Sequence, residues 1–179
     1  MDISNGEGVG VALFVQGCHF HCYNCFNPDT WDFNSGKEWT QDTEDKLIEL
    51  ANKPYIKRLS ILGGEPLADE NLDGVLHLVD RFRLSFPNKS IWIYSGFTWE
   101  SIMNYEPSET DDFDYIEESC IGGLYEKRKE IVSQCDVMVD GRYIDSQRDI
   151  SLKWRGSSNQ RVIDVKKSLE CGEIVLWEK

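Results

Sequence analysis

Long apolar runs are missing from this sequence, and none comes near the ~20 residues that a membrane-spanning helix needs. The start of the chain also lacks the features of a secretory signal, because residues 1–7 are polar and acidic. We therefore expect a soluble, cytoplasmic protein whose six cysteines are kept reduced. Internal repeats and low-complexity tracts are absent too, and the 179 residues suit one globular domain over residues 1–179.

Basic residues are scarce. The 19 Lys and Arg residues stand against 32 Asp and Glu residues, which gives a formal net charge of −13. A charge of this sign opposes long-range attraction to phosphate backbones and to anionic membrane surfaces. The composition therefore predicts no nucleic-acid partner and no membrane partner, and it favours a basic or zwitterionic one.

Three of the cysteines stand close together. Cys18, Cys22 and Cys25 form a C-x3-C-x2-C pattern directly after the apolar residues 11–15. Thiols at this spacing can reach three corners of one inorganic cluster. A structural zinc site or an electron-carrying 4Fe-4S centre uses four protein ligands and leaves no open position. The count of three therefore predicts a cluster with one metal ion open to a substrate.

The cysteines also allow other roles. His19 and His21 flank the first thiols, so a zinc site of mixed ligands is conceivable, although the spacing matches no common zinc motif. A reducing compartment disfavours disulfides. Cys120, Cys135 and Cys171 belong to no ligand motif, and we expect them to be free structural cysteines.

Hydrophobic periodicity predicts alternating strands and helices, and hence a parallel sheet with its active edge at the carboxyl ends of the strands. A helix over residues 71–86 is expected to be capped by Asp69 or Asn71. The predicted strands are residues 11–15, 58–62, 90–96, 135–143, 161–165 and 173–177. The other predicted helices are residues 40–51 and 117–133, the second interrupted near Gly122 and Gly123, with an exposed acidic loop at residues 106–112.

Small and polar residues follow several of these strands. Gly63-Gly64-Glu65-Pro66 comes after the second strand, Ser95-Gly96 after the third and Asp140 near the end of the fourth. Paired glycines let the backbone approach a ligand closely or take a positive φ. Taken alone, this pattern is equally typical of a tight strand-to-helix turn. Arg155 lies in a later polar loop, which is either a solvated connection or places this cation near a carboxylate or a partner chain.

The C-x3-C-x2-C loop and the Gly-Gly-Glu-Pro turn together resemble the signatures of the radical S-adenosylmethionine enzymes. The stretch Cys25-Phe26-Asn27, followed by Thr30-Trp31, is similar to the segment after the cluster in activating enzymes of glycyl-radical proteins. Within that group the chain resembles the activating proteins of anaerobic ribonucleoside-triphosphate reductases. The stretches that carry this narrower resemblance are residues 5–8, 13–18, 91–96, 139–141 and 154–160.

The resemblance implies an α/β fold, a shortened open (partial) βα barrel, since a closed eight-fold barrel takes ~250 residues. It implies a 4Fe-4S cluster on Cys18, Cys22 and Cys25, and S-adenosylmethionine as the cofactor that the cluster cleaves. The implied partners are the glycyl-radical subunit of the reductase and an electron donor such as reduced flavodoxin. The implied cofactor-binding residues are Asn24, Cys25, Phe26, Gly63, Gly64, Glu65, Pro66 and Ser95.

Two other functions stay open at this point. The chain could activate a different glycyl-radical protein, such as pyruvate formate-lyase. It could instead be a non-catalytic iron-sulfur or zinc module, in which case it would not cleave S-adenosylmethionine under reducing, oxygen-free conditions.

Overall fold

The computed structural model describes residues 1–104 and 115–177, with residues 115–121 described by their helical backbone only. Five strands form one sheet in the order β1-β2-β3-β4-β5, so each strand lies beside its neighbour in the sequence. The strands are β1 Gly10–Val15, β2 Arg58–Gly63, β3 Ser90–Tyr94, β4 Val137–Asp140 and β5 Arg161–Asp164. The first four are mutually parallel, whereas β5 pairs antiparallel with β4.

In the described part of the chain, five α-helices connect or follow these strands. They are α1 Gln41–Ala51, α2 Leu72–Ser85, α3 Trp99–Met103, α4 Tyr115–Gln134 and α5 Val165–Cys171. Thr40 caps α1, and its side chain accepts a hydrogen bond from the Thr43 amide at 3.3 Å. The predicted mixed α/β fold with a mostly parallel sheet is confirmed. None of the helices described has the length and apolar character that a bilayer crossing requires.

Two details differ from the prediction. Helix α4 continues through Gly122 and Gly123, so the expected interruption is wrong. A glycine inside a helix costs only about 1 kcal/mol relative to alanine, and the apolar packing of Ile131 and Val132 offsets this cost. Residues 173–177 form only a single bridge, between Leu176 and Ile163, rather than a strand. The predicted acidic loop at residues 106–112 lies outside the described residues.

The two faces of the sheet carry different layers. On one face the core joins Leu59, Ile61, Ile91 and Ile93 of the strands to apolar side chains of α1, α2 and α4. On the other face, Trp92 of β3 packs edge-on against two aromatics at ring-centroid distances of 5.0 and 5.7 Å; these are Trp154 and Trp177. Because side chains alternate along a strand, β3 supplies both layers.

The amino-terminal segment closes one end of this second face. The guanidinium of Arg58 is fully buried and pairs with the Asp2 carboxylate at 2.7 Å. It also donates to the Ser60 hydroxyl at 2.9 Å. A side chain at Gly6 or Gly10 would lie less than 3.0 Å from Arg58, so both positions need glycine for the segment to pass over this cation.

Candidate functional site

A cavity of about 490 Å³ opens at the carboxyl ends of the parallel strands. Its wall combines the loop after β1, the turns after β2 and β3, and the long connection between β4 and β5. Cys18, Cys22 and Cys25 all line this cavity. The cavity therefore lies at the edge of the sheet where the sequence predicted the active groups.

The loop that carries the cysteines is held from both sides. On one side, Gly17 N donates to Thr30 O at 2.8 Å and Cys18 N donates to Trp31 O at 3.1 Å. On the other side, the Glu65 amide donates to Gly17 O at 2.7 Å. Gly17 takes a φ of +90°, and a side chain there would collide with the ring of Phe33. These contacts fix the loop between the segment that follows it and the turn after β2.

The three thiols are free and half-buried. Burial raises the pKa of Cys18 and of Cys22, although the backbone amides of Phe20 and His21 act to lower that of Cys18. The Asn27 amide donates to Cys25 Sγ at 3.4 Å. Inward-pointing amides favour thiolates, which are the form that binds metal.

The donor set suits an iron-sulfur cluster with an open position. Soft thiolates are the usual protein ligands of such clusters. A cluster with four thiolate ligands has no open position. Within the described residues the cavity wall contains three cysteines and neither a fourth cysteine nor a histidine. In the same part of the chain, no group of three His, Cys, Asp or Glu side chains is placed to hold a single metal ion.

The paired glycines bring the turn after β2 against the cysteine loop. Gly63 adopts a φ of +111°, which side chains rarely tolerate. A Cβ at Gly64 would lie less than 3.0 Å from the carbonyl oxygen of Gly17 and from that of Thr30. The close approach of two backbones, rather than a flexible turn, is therefore what requires glycine at position 64.

Glu65 joins two turns of the site. Its Oε1 accepts from the Leu67 amide at 2.9 Å and from the Ser95 hydroxyl at 2.8 Å, and its Oε2 accepts from the Gly96 amide at 2.7 Å. Burial raises the pKa of Glu65 to about 7, against the lowering effect of these hydrogen bonds and of the Arg128 charge. Glu65 and Ser95 are thus hydrogen-bonded to each other, and both line the cavity.

The structure brings most of the predicted site residues together. Those that line the cavity are Cys18, Cys22, Cys25, Phe26, Gly63, Gly64, Glu65 and Ser95. Asn24 is exposed at a φ of +54° and Pro66 is buried, and neither belongs to the cavity wall. Asp140 also stands apart from it, because its carboxylate accepts from the Trp99 amide at 2.8 Å and pairs with Arg161.

Asn71 supports the site from outside the cavity wall, a role that sequence reasoning missed. It was expected to cap α2, but its side chain makes no capping hydrogen bond. The Nδ2 atom instead donates to Gln16 O and to Glu65 O, both at 2.9 Å. One amide group therefore links the cysteine loop to the Gly-Gly-Glu turn, and only the tertiary structure reveals this link.

The connection between β4 and β5 supplies the far wall of the cavity. Phe26 of the cysteine loop meets the ring of Tyr143 edge-on at 5.0 Å, and a Cβ at Gly156 would lie less than 3.0 Å from the Phe26 ring. Arg155 lines the cavity and donates from Nη1 to Gln160 O at 2.7 Å. Of the two sequence-based interpretations of the Arg155 loop, a merely solvated connection does not fit this position. The residues of this wall are Gly141, Arg142, Tyr143, Leu152, Trp154, Arg155, Gly156 and Gln160.

Comparison with known proteins identifies an iron-sulfur protein family. Residues 4–163 match the family model described as a 4Fe-4S single cluster domain. The anaerobic ribonucleoside-triphosphate reductase-activating protein of Vibrio cholerae is 38% identical over 162 residues, which is 89% of this chain and 90% of that protein. The proteins of the same name from Escherichia coli K12 and from phage T4 are 36% and 32% identical, over 90% of this chain and 92% and 87% of theirs. No solved structure matches.

Proposed function

The chain belongs to the family of anaerobic ribonucleoside-triphosphate reductase-activating proteins, and from this membership we propose that it generates a glycyl radical on such a reductase. The proposed reaction is reductive cleavage of S-adenosylmethionine at a 4Fe-4S cluster. The observation that carries this proposal is the cavity wall, in which three thiols and no fourth cysteine or histidine, among the described residues, face the paired glycines after β2.

Each part of this wall has a proposed task. Cys18, Cys22 and Cys25 hold three corners of the cluster and leave the fourth for the cofactor. The backbone of Gly63 and Gly64 and the carboxylate of Glu65 offer oxygen acceptors, which the ammonium group of a methionyl moiety needs. When bound, the reduced cluster and S-adenosylmethionine supply the radical that takes a hydrogen atom from the glycine of the reductase.

Aromatic side chains make up part of the cavity wall that the thiols line, and they would limit the access of water to a bound cluster. Water near a cluster changes its reduction potential and could quench a radical, so a dry cavity suits this chemistry. The aromatic residues of the cavity wall are Phe14, Phe20, Phe26, Trp31, Tyr94, Tyr143 and Trp154. The chain's own contribution to catalysis is then to position the reactants, to exclude water and to set the potential of the cluster.

We also propose that the sheet is a shortened, open βα barrel. The order β1-β2-β3-β4 has no reversal, as in barrels, and differs from the order of doubly wound sheets. The antiparallel β5 ends the parallel series and leaves a gap in the wall. Such a gap would admit a loop of another protein.

We also propose that the protein works in the cytoplasm and receives its electron from reduced flavodoxin or a similar one-electron donor.

The test is anaerobic reconstitution with iron and sulfide, followed by product analysis under a chemical reductant. We expect 5'-deoxyadenosine and methionine to form, and we expect the partner reductase to acquire a glycyl-radical signal in electron paramagnetic resonance. Pyruvate formate-lyase in place of the reductase should acquire none. A protein that binds one zinc ion, or that releases no 5'-deoxyadenosine, would contradict the proposal.

A further inference from the structure

The segment that carries the three thiols has no Lys or Arg of its own. Residues 16–32 contain two carboxylates, those of Asp29 and Asp32, which directly follow the cysteine loop. The turn after β2 adds Glu65 to the cavity wall. Cysteine binds metal as the thiolate, so each ligand brings a further negative charge. A positive charge beside the cluster therefore has to come from another part of the chain.

Arg142, in the connection between β4 and β5, supplies such a charge. Its guanidinium lies 4.2 Å from the ring centroid of Phe20. Phe20 stands between Cys18 and Cys22 in the sequence, and all four residues line the same cavity. The guanidinium is thus held against the part of the loop that carries two of the three proposed ligands.

The backbone at Arg142 is fixed from several directions. Gly141 N donates to Phe97 O at 3.1 Å, and the Gln160 side chain donates to Gly141 O at 2.9 Å. The Asn159 side chain donates to Arg142 O at 2.8 Å. These bonds tie the residue to the end of β4, so its place beside the cysteine loop follows from the sheet.

The charge of Arg142 is not neutralised by a carboxylate. In the part of the chain that the structure describes, no ion pair includes this residue. Burial raises the pKa of Cys22, whereas the amide of Tyr143 and the charge of Arg142 act to lower it. Five other arginines each pair with at least one carboxylate; these are Arg58, Arg81, Arg83, Arg128 and Arg161.

We propose that the guanidinium of Arg142 raises the reduction potential of the cluster that the three thiols hold. Reduction takes one electron from an external one-electron reductant, makes or breaks no bond, and makes the cluster more negative by one charge. A nearby cation stabilises that state, and local charge is among the factors that set the potential of such clusters. The inference rests on the proposed function and adds to it a residue that favours reduction.

The carboxylates around the cluster act in the opposite direction. Asp29 and Asp32 are exposed and lie outside the cavity wall. Glu65 lies within the wall, and burial raises its pKa to about 7. All three lower the potential when they are ionised. They stay in place when position 142 is changed, so the difference between variant and wild type measures the contribution of Arg142 itself.

The experiment is an anaerobic redox titration of the reconstituted protein without S-adenosylmethionine, followed by the electron paramagnetic resonance signal of the reduced cluster. In Arg142→Gln the ratio of reduced to oxidised cluster at a fixed potential should fall roughly 3- to 10-fold. At 59 mV for each tenfold change, this lowers the midpoint potential by about 30–60 mV. The difference should shrink between about 50 mM and about 500 mM salt, because Arg142 is exposed.

Three further variants separate charge from packing. Arg142→Met also lacks the charge but keeps an apolar stem against Phe20, and it should show the same fall. Arg142→Lys keeps the charge and should stay close to the wild-type potential. Lys46→Gln removes one positive charge from an exposed position of α1 and should leave the potential unchanged.

Three results would overturn the inference. They are an unchanged potential in both charge-free variants at low salt, an equal fall in Arg142→Lys, or an equal fall in Lys46→Gln. The second would assign the effect to packing, and the third to net charge alone. Failure of the proposed function looks different, since the wild-type protein itself would then hold no reducible cluster or release no 5'-deoxyadenosine.

Discussion

The carboxylate of Glu65 accepts a hydrogen bond from the backbone amide of Gly96 at 2.7 Å, and this bond joins the turn after β2 to the turn after β3. The two residues are 31 positions apart in the sequence. The same carboxylate also holds Ser95 and Leu67, so a single buried group fixes the floor of the cavity on which the cofactor is proposed to lie.

Glu65 makes the stability of the protein depend on pH. Its pKa is about 7 in the folded protein and near 4.5 when exposed, so the folded state holds the proton over a range in which the unfolded chain releases it. The resulting stabilisation is complete below pH 4.5 and is lost as the pH rises through about 7. In Glu65→Gln this contribution is absent.

The measurement is anaerobic urea unfolding at several pH values. Relative to Glu65→Gln, the wild type should lose up to about 3 kcal/mol of unfolding free energy between pH 4.5 and pH 8. The exposed Glu49→Gln variant should follow the wild type at every pH. A constant difference between wild type and Glu65→Gln would contradict the raised pKa.

Gly64→Ala should separate the turn after β2 from the cysteine loop. The added methyl would meet the backbone carbonyls of Gly17 and Thr30, which cannot move without shifting the loop. We expect a loss of about 2–4 kcal/mol in stability and a reduced iron content after reconstitution. Gly74→Ala is the matched control, because nothing lies within 4 Å of a Cβ there and α2 should gain about 1 kcal/mol. Similar effects of both variants on iron content would show that close approach does not matter.

Cys22→Ala should abolish both cluster binding and cofactor cleavage, because two thiols cannot replace three on one cluster. Cys171→Ala should preserve both, since Cys171 is exposed on α5 and lies outside the cavity wall. Iron analysis and visible absorption after anaerobic reconstitution measure the first property, and 5'-deoxyadenosine release measures the second. Equal losses in the two variants would mean that the ligands are wrongly assigned.

Asn71→Ala should loosen the link between the cysteine loop and the Gly-Gly-Glu turn. Two part-buried hydrogen bonds are lost, and the carbonyl oxygens of Gln16 and Glu65 each lose a donor. We expect a cost of about 1–3 kcal/mol and a weaker affinity for S-adenosylmethionine. Thermal unfolding and equilibrium binding to the reconstituted protein measure these changes. The exposed Asn88→Ala variant should alter neither, and an Asn71→Ala protein with unchanged affinity would confine Asn71 to a purely stabilising role.

Local patterns predicted those parts of the fold that local chemistry controls. The apolar runs gave β1, β2 and β3 nearly to the residue, and Thr40 marked the start of α1. The spacing of the three cysteines placed them on one loop, and strand order placed that loop at the same edge as Gly63. Each of these inferences depends on residues close together in sequence.

Features that depend on distant contacts were not predictable in this way. Asn71 looked like a helix cap, because a cap and a loop-bridging amide have the same sequence signature. Helix α4 passes through two glycines because its later residues pack against α2, which a local rule does not see. The far wall of the cavity has no periodicity at all, and its position follows only from contacts such as that of Tyr143 with Phe26.

The burial of Arg58 makes the first five residues part of the folded unit rather than a dispensable tail. Asp2 supplies the carboxylate for this guanidinium, and the carbonyl of Asn5 accepts from Ser60 at 2.5 Å. A shortened chain that starts at Gly6 would strand an arginine inside the protein without its counter-ion, at a cost of roughly 3–5 kcal/mol. Trimming for crystallisation or expression should therefore spare this end of the polypeptide.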